Sequence, residues 1–318
     1  MEFISFSDCT LQYAGDLYSL SFREKLELCK QIDRLELSAV ELHPIRRSKA
    51  DSLLIKSVCS AVKDITVVVP VQLSEESVQE TWKALKTGRS VRLQIRVPVS
   101  SVQMEYLLHM KPKALLSAVQ DTAQACFRLT DQVEFVAEDA MRADAAFLRQ
   151  MTELVIAQGI QTITFQDAAG TMLPEEVSAF YTGMMKDVPA LSGITLGYAG
   201  KNTLSISDAC AIAAIRSGVR LIKGSMVGSD QISLAHVARV LEAKGTEFGA
   251  QTRINMPQLN RIAAQIETIC RAGNQSAQVS RGTGDKETFF TAHDSRESIQ
   301  LATARLGYDL SQEDSDTI

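Results

Sequence analysis

Val133-Glu-Phe-Val-Ala-Glu138-Asp139-Ala-Met-Arg142-Ala-Asp144 is the stretch that decides the fold. A short apolar run ends in two carboxylates, and the chain then turns into a helical pattern over residues 145–157. A strand that presents acids at its C-terminal end and is followed at once by a helix is typical of a β/α barrel. Because the strand ends of that fold share one mouth, we expect the other strands to place their last residues there too.

Strand-like runs alternate with helical runs along most of the chain, which predicts βα units and a parallel sheet. The predicted strands are residues 4–7, 39–42, 66–69, 92–97, 133–136, 162–165, 194–197 and 221–222. Eight strands in this rhythm predict an α/β fold, a closed (β/α)8 TIM barrel, and an open doubly wound sheet is the structural alternative. The alternation stops near Gly249. We therefore predict a barrel over residues 1–250 and a short, truncated C-terminal α subdomain of helix and loop over residues 251–318. Its helix is predicted from Asn255 to about Cys270, and a polar, glycine-containing loop from Ala272 to Glu287.

The composition is that of a soluble globular protein with a large core. The 318 residues are 45% hydrophobic and 22% charged, with a net charge of −5. No basic block indicates a nucleic-acid or anionic-lipid partner, and no apolar run approaches the roughly 20 residues that span a bilayer. We expect no secretory signal, and the six cysteines are scattered without a CxxC pair. We expect reduced thiols and a cytoplasmic location.

The stretch from Glu134 to Asp144 also resembles the fifth-strand signature of the homocitrate synthase and 2-isopropylmalate synthase family, the DRE-TIM metallolyases. The resemblance extends over nearly the whole chain. It implies a metal-dependent barrel acyltransferase that condenses acetyl-CoA with a 2-oxo acid. Residues 292–298 and 306–311 resemble a shortened form of the subdomain that follows the barrel in these synthases. Since family members pair through this region, the resemblance implies a homodimer, or else a heteromer with an active paralogue.

The metal-binding motifs of the family are largely replaced. The family's first strand reads Asp-Thr-Thr-Leu-Arg, in which the Asp binds the metal and the Arg polarises the oxo acid. Here Asp8 is kept, but Gln12 stands in place of the Arg and brings no charge. The family's His-x-His on strand seven is matched by Ala199-Gly200-Lys201. Because Asp8 alone remains of four expected ligands, we predict no metal at this place and no cofactor.

Further positions that carry chemistry in the family are replaced as well. Two histidines of the family's fourth-strand region are Gln94 and Gln103. The substrate-binding Thr after strand six is Ala168, and the metal-binding Asn after strand eight is Val227. Drift at one site would not remove so many roles. The concerted replacement indicates that the ancestral chemistry is lost.

Lys201 offers a substitute for the charge of the metal. Without a divalent ion, carboxylates at Asp8, Glu41 and Glu138 would face one another, and an ammonium at the lost ligand position would neutralise them. Lys201 would then act as a salt bridge, as a binding group for an anionic ligand, or as a Schiff-base lysine. Lys223, at the end of strand eight, is a second candidate.

The candidate residues follow from these positions. The candidate catalytic residues are Lys201, Glu138 and Asp8. The candidate substrate-binding residues are Gln12, Glu41, Gln94, Ser100, Asp167 and Asn202.

Three functions remain open. In the first, the chain is a divergent relative that binds a small anion such as a 2-oxo acid and acts as a pseudoenzyme or regulatory partner. Alternatively, it is a metal-independent lyase or aldolase that uses Lys201, or a residual acyl-CoA:2-oxo acid acyltransferase of amino-acid or homocitrate biosynthesis. The concerted losses favour the first, and fold alone does not decide among them.

Overall fold

The computed structural model describes residues 1–12, 20–46, 48–228 and 230–282. Eight parallel strands form a ring, in which each strand pairs with the next and β8 pairs with β1. The predicted (β/α)8 TIM barrel is therefore confirmed, and the open sheet is wrong. The strands are β1 Glu2–Asp8, β2 Ala39–Glu41, β3 Thr66–Val71, β4 Val91–Pro98, β5 Val133–Glu138, β6 Thr162–Asp167, β7 Thr195–Gly200 and β8 Leu221–Gly224.

The register at the closure sets the positions of the strand ends. Asp8 pairs with Gly224 on one side and with Val40 on the other, so that β1, β2 and β8 end side by side. β7 runs three residues beyond its predicted end, to Gly200. Lys201 therefore follows the last residue of the ladder directly.

Helices follow the strands, as the alternation predicts. Ser21 begins the first with a capping box that includes Glu24, and Ser74 caps the third by accepting from the Ser77 backbone. The main helices that follow β1 to β8 in turn are Phe22–Asp33, Ser48–Ala61, Glu75–Leu85, Pro112–Phe127, Ala145–Ala157, Pro174–Asp187, Ser207–Arg216 and Leu234–Lys244. A short helix at Ser101–Gln103 and a π-helix at Met104–Leu108 follow β4.

The chain beyond the barrel differs from the expectation at two places. A three-residue strand, β9 (Ala250–Thr252), pairs in parallel with the N-terminal half of β1. The helix predicted to end near Cys270 extends over Met256–Gly282, so the predicted loop from residue 272 is wrong up to residue 282. The compact unit that holds the barrel ends at Gly273. The boundary at residue 250 stays a prediction, and the tail motifs from residue 292 lie outside the described residues.

Within the described part of the chain, no helix is both long enough and apolar enough to cross a membrane.

Candidate functional site at the barrel mouth

Strand β4 brings polar side chains into the barrel. Residues 92, 94 and 96 lie on one face because side chains alternate along a strand. Arg92 donates to Glu134, Gln94 donates to both Glu41 and Glu134, and Arg96 reaches Gln166 across the barrel. The interior of such a barrel is ordinarily packed with branched apolar side chains. Here its central layers are polar.

Lys223 of β8 lies at the centre of this polar interior. Its Nζ donates to Glu41 Oε1 and to Glu134 Oε1, each at 2.5 Å. The three side chains are at most 2% exposed. The ammonium therefore joins carboxylates from two strands, β2 and β5, in a site that water does not reach.

The charges of this cluster stabilise one another. Burial alone would raise the pKa of Glu41, but the nearby Lys223 ammonium lowers it to about 2. Burial opposes the positive charge of Lys223, whereas Glu134 and Glu41 raise its pKa above the ordinary value for lysine. Both groups are therefore ionised at neutral pH.

Hydrogen bonds complete the surroundings of Glu41. Ser7 Oγ donates to Oε1 at 2.7 Å, while Gln94 Nε2 and Gln12 Nε2 donate to Oε2 at 2.9 and 3.2 Å. Gln94 Oε1 is buried without a hydrogen-bond partner among the described residues. Three predicted substrate-binding residues, Gln12, Glu41 and Gln94, are thus brought together by the fold.

Arg96 continues the cluster to the mouth, although it is not among the residues predicted from the sequence. Its Nε donates to Glu138, its Nη1 to Gln12 Oε1 at 2.8 Å and its Nη2 to Gln166 Oε1 at 3.1 Å. Gln12 thereby links Arg96 to Glu41. Arg92, Gln94 and Arg96 are spaced two residues apart, so they lie on one strand face, and this spacing could have identified Arg96 from the sequence.

Charged groups of opposite sign therefore alternate from the N-terminal part of β4 to the end of β5. We call this set the charged column. Its members are Arg92, Glu134, Lys223, Glu41, Arg96 and Glu138. Three cations balance three carboxylates, so the column is neutral without a metal ion.

Asp8 lies beside the column with partners of its own. Its carboxylate accepts from the Thr10 backbone at 3.0 Å, from Thr10 Oγ1 at 2.8 Å and from the Met226 backbone at 3.2 Å. Thr10 Oγ1 also lies 3.0 Å from Ser225 Oγ. Burial raises the pKa of Asp8 to about 7, although these hydrogen bonds lower it.

These residues do not fit the divalent metal that the family resemblance implies. Both oxygens of Asp8 are engaged by protein donors. In the described ranges, no three His, Cys, Asp or Glu residues are grouped so that they could hold a metal ion. At the position of one lost histidine, Ala199 offers no ligand atom.

Lys201 does not neutralise the carboxylates of Asp8, Glu41 and Glu138. Its side chain is exposed, and its backbone N–H donates to the Asp167 carbonyl at 3.0 Å. No described carboxylate pairs with its ammonium. The expected salt bridge of Lys201 with Asp8, Glu41 and Glu138 is therefore wrong, and Lys223 neutralises Glu41 instead. Lys201 follows the last residue of β7 and lies outside its hydrogen-bonded ladder, whereas Lys223 lies within β8.

The other predicted site residues order their own loops. Ser100 Oγ donates to Asp139 at 2.5 Å, and Asn202 Oδ1 accepts from the Ser207 backbone at 3.0 Å. Asp167 accepts from the backbones of Gly170 and Met172 at 2.8 and 3.1 Å. All three lie at or just after strand ends, as predicted, and their binding of a substrate stays a prediction.

A cavity of about 570 Å³ opens at the mouth, and we call it the mouth cavity. It lies at the C-terminal ends of β1 to β5, and its polar lining includes Gln12, Arg96 and Glu138. Its aliphatic walls are Val71, Leu73, Val97, Leu108 and Met110. Its volume is typical of small-molecule sites, which range over roughly 300–1,000 Å³.

The chain is similar in sequence to 2-isopropylmalate synthases. It is 28% identical over 277 residues to the enzyme of Geobacillus sp. (strain WCH70), covering 85% of this chain and 53% of the relative. It is 26% identical over 255 residues to that of Pyrococcus furiosus, covering 79% of this chain and 51% of the relative. The chain thus spans about half the length of these relatives.

Solved structures share the fold. An HMG-CoA lyase from Bacillus subtilis aligns with a TM-score of 0.71 and 14% identity, over 88% of this chain and 99% of the lyase. The HMG-CoA lyase of Brucella melitensis aligns with a TM-score of 0.70 and 12% identity, over 86% of this chain and 100% of the lyase. The HMGL-like family model matches residues 11–266. With the barrel closed and most of its length matched, the chain belongs to the HMGL-like family.

Proposed function

We propose that this HMGL-like barrel has lost the metal-dependent condensation and serves as a binding or regulatory protein for a small carboxylate. One observation carries the proposal: the Lys223 ammonium bridges Glu41 and Glu134 at the centre of the barrel. A column already neutral has no unpaired carboxylates to draw in a divalent cation. Gln12 likewise supplies no charge for polarising an oxo acid.

The retained features favour binding. The mouth cavity is lined by hydrogen-bonded polar side chains and by aliphatic side chains, as in many sites for small organic ligands. Arg96 provides a planar guanidinium, which suits a carboxylate. A 2-oxo acid is one ligand of this kind. The 2-isopropylmalate synthases to which the chain is similar make it a reasonable first probe.

The proposal is tested by two measurements on the full chain. Protein dialysed against Mn²⁺ or Zn²⁺ and then washed should retain less than stoichiometric metal in elemental analysis. Incubation with acetyl-CoA and a panel of 2-oxo acids should release no CoA above the rate without protein. Release of CoA that EDTA or Asp8→Asn abolishes would overturn the proposal and identify a residual acyltransferase.

Assembly forms part of the same proposal. A binding or regulatory role is consistent with a homodimer, or with a heteromer that contains an active paralogue. Light scattering of the purified chain should give a mass above that of the monomer, alone or after mixing with a family member. A monomer under both conditions would contradict both arrangements.

A further inference from the structure

An ion pair contributes to the lining of the mouth cavity. Arg96 and Glu138 both line the cavity and bind each other, with side chains 18% and 27% exposed. Because each is partly accessible, a ligand in the cavity can touch both. A ligand that satisfies the pair needs a negative and a positive group close together.

Arg96 is held in place before any ligand arrives. Besides Glu138, it donates to the neutral amide oxygens of Gln12 and Gln166, which come from two other strands. A carboxylate is a stronger acceptor than an amide oxygen, so a ligand carboxylate that replaces one amide contact strengthens the interaction. A side chain already ordered also loses little freedom on binding.

Glu138 has capacity for a donor. Its Oε1 accepts from Arg96, and no described residue donates to its Oε2. A carboxylate oxygen at a cavity surface pairs best with a charged donor, because charge-assisted hydrogen bonds are the strong ones. An ammonium group on the ligand meets this requirement better than a carbonyl, which offers no donor.

We propose that the mouth cavity binds an aliphatic α-amino acid, with Arg96 holding its carboxylate and Glu138 its ammonium. The aliphatic walls receive the side chain, and each methylene buried there raises affinity about fourfold. Arg46 also lines the cavity, but it is exposed at the rim and screened by solvent. The inference rests on the proposed function in one respect, that the mouth binds a small carboxylate without a metal.

Three probes with the same branched tail test the charge requirement. Leucine, 4-methyl-2-oxopentanoate and isopentylamine are titrated calorimetrically into the full chain in EDTA. We expect leucine to bind most tightly, the oxo acid at least tenfold more weakly, and the amine not at all. Oxo-acid affinity equal to or above that of leucine, or no leucine binding at millimolar concentration, would overturn the assignment.

Variants assign the two ends of the ligand. Arg96→Gln should weaken leucine at least tenfold. Glu138→Gln should weaken leucine about as much yet leave the oxo acid unchanged or tighter. The matched controls are Arg128→Gln and Glu75→Gln, which alter an exposed Arg–Glu pair at 2.8 Å on another part of the surface. Losses of leucine binding in these controls equal to those in the cavity variants would exclude the assigned roles.

A cavity-filling variant covers the case in which Arg96→Gln does not fold. Leu108→Trp leaves the ion pair intact and should abolish leucine binding by occupying the space for its side chain, and unchanged binding would place leucine elsewhere. The CoA-release assay keeps the two proposals separate. Leucine binding in a protein that also releases CoA would overturn the proposed function and leave the amino-acid site standing.

Discussion

Lys223 Nζ lies 2.5 Å from Glu41 Oε1, and both side chains are buried in the interior of the barrel. The two residues are 182 positions apart in the chain, and closure of the barrel between β8 and β1 brings them together. A covalently attached cation cannot dissociate. The balance of charge at the centre of this barrel is therefore part of the fold and does not depend on metal supply.

Lys223→Met is expected to lower the free energy of unfolding by about 3–5 kcal/mol, because Glu41 and Glu134 lose their shared counter-ion while they stay buried. The matched variant Lys201→Met should change it by less than about 0.5 kcal/mol, since the Lys201 side chain is exposed. Urea denaturation monitored by circular dichroism measures both. Similar losses in the two variants would contradict the assignment of charge compensation to Lys223.

Neutralising the carboxylates gives a control for this prediction. In Lys223→Met/Glu41→Gln/Glu134→Gln the fully buried charges are removed and only the partly exposed Arg92 loses its carboxylate partner, so part of the stability lost in Lys223→Met should return. A triple variant less stable than Lys223→Met would mean that the ammonium acts mainly through packing.

Asp8 should make the protein less stable as pH rises from about 4 to about 7. Its carboxyl loses the proton near 3.8 in the unfolded chain but near 7 in the folded protein, where burial raises its pKa. The folded state therefore binds more protons in this window, and the contribution of Asp8 to the free energy of unfolding falls by about 1.4 kcal/mol per pH unit.

Asp8→Asn removes that titration, so the variant should gain on the wild type as pH rises and be the more stable of the two at pH 8. Urea midpoints of both proteins at pH 5, 6, 7 and 8 measure the difference. Glu41 does not interfere, because its lowered pKa confines its effect to pH below about 4.5. A difference between the two proteins that is constant with pH would show that Asp8 ionises normally.

The sequence was sufficient for the barrel because the signals that define it are local. The apolar run at Val133 and the acids that end it specify a strand and its working end, and every predicted strand overlaps an observed one. β9 could not be predicted, because Ala250–Thr252 has no apolar run. It pairs with residues 2–4 of β1, which precede the part of β1 that pairs with β2. The helix that continues to Gly282 was missed because its sequence is polar and contains glycine.

The choice between two lysines could not be made from the sequence. Lys201 matches a lost metal ligand in the motif, yet it lies just past the β7 ladder with its side chain exposed. Lys223 lies in a strand of four residues, too short for its pattern to reveal which face is buried. Arg96 was predictable in principle, because it shares its strand face with Arg92 and Gln94.

Asp139 should tolerate replacement by Asn better than by Ala. It is 1% exposed in the left-handed conformation, with φ at 58°, and it accepts from Ser100 and twice from Arg142. Asn adopts this conformation readily, so Asp139→Asn should cost about 1.5–3 kcal/mol for the weakened charged hydrogen bonds. Asp139→Ala should cost about 1–2 kcal/mol more for backbone strain. Thermal and urea unfolding compare the two, and equal losses would contradict the role of the backbone.

Lys201 should not be trapped as an imine by borohydride in the presence of 2-oxo acids. A lysine forms catalytic imines readily when its surroundings favour the neutral amine, and Lys201 is exposed to solvent. Lys223 is excluded for the opposite reason, because Glu134 and Glu41 hold it protonated against the effect of burial. Peptide mass spectrometry after reduction with pyruvate should therefore show no more adduct on Lys201 than on Lys86, another exposed lysine. Selective modification of Lys201, lost together with turnover in Lys201→Met, would instead establish a metal-independent lyase at this barrel mouth.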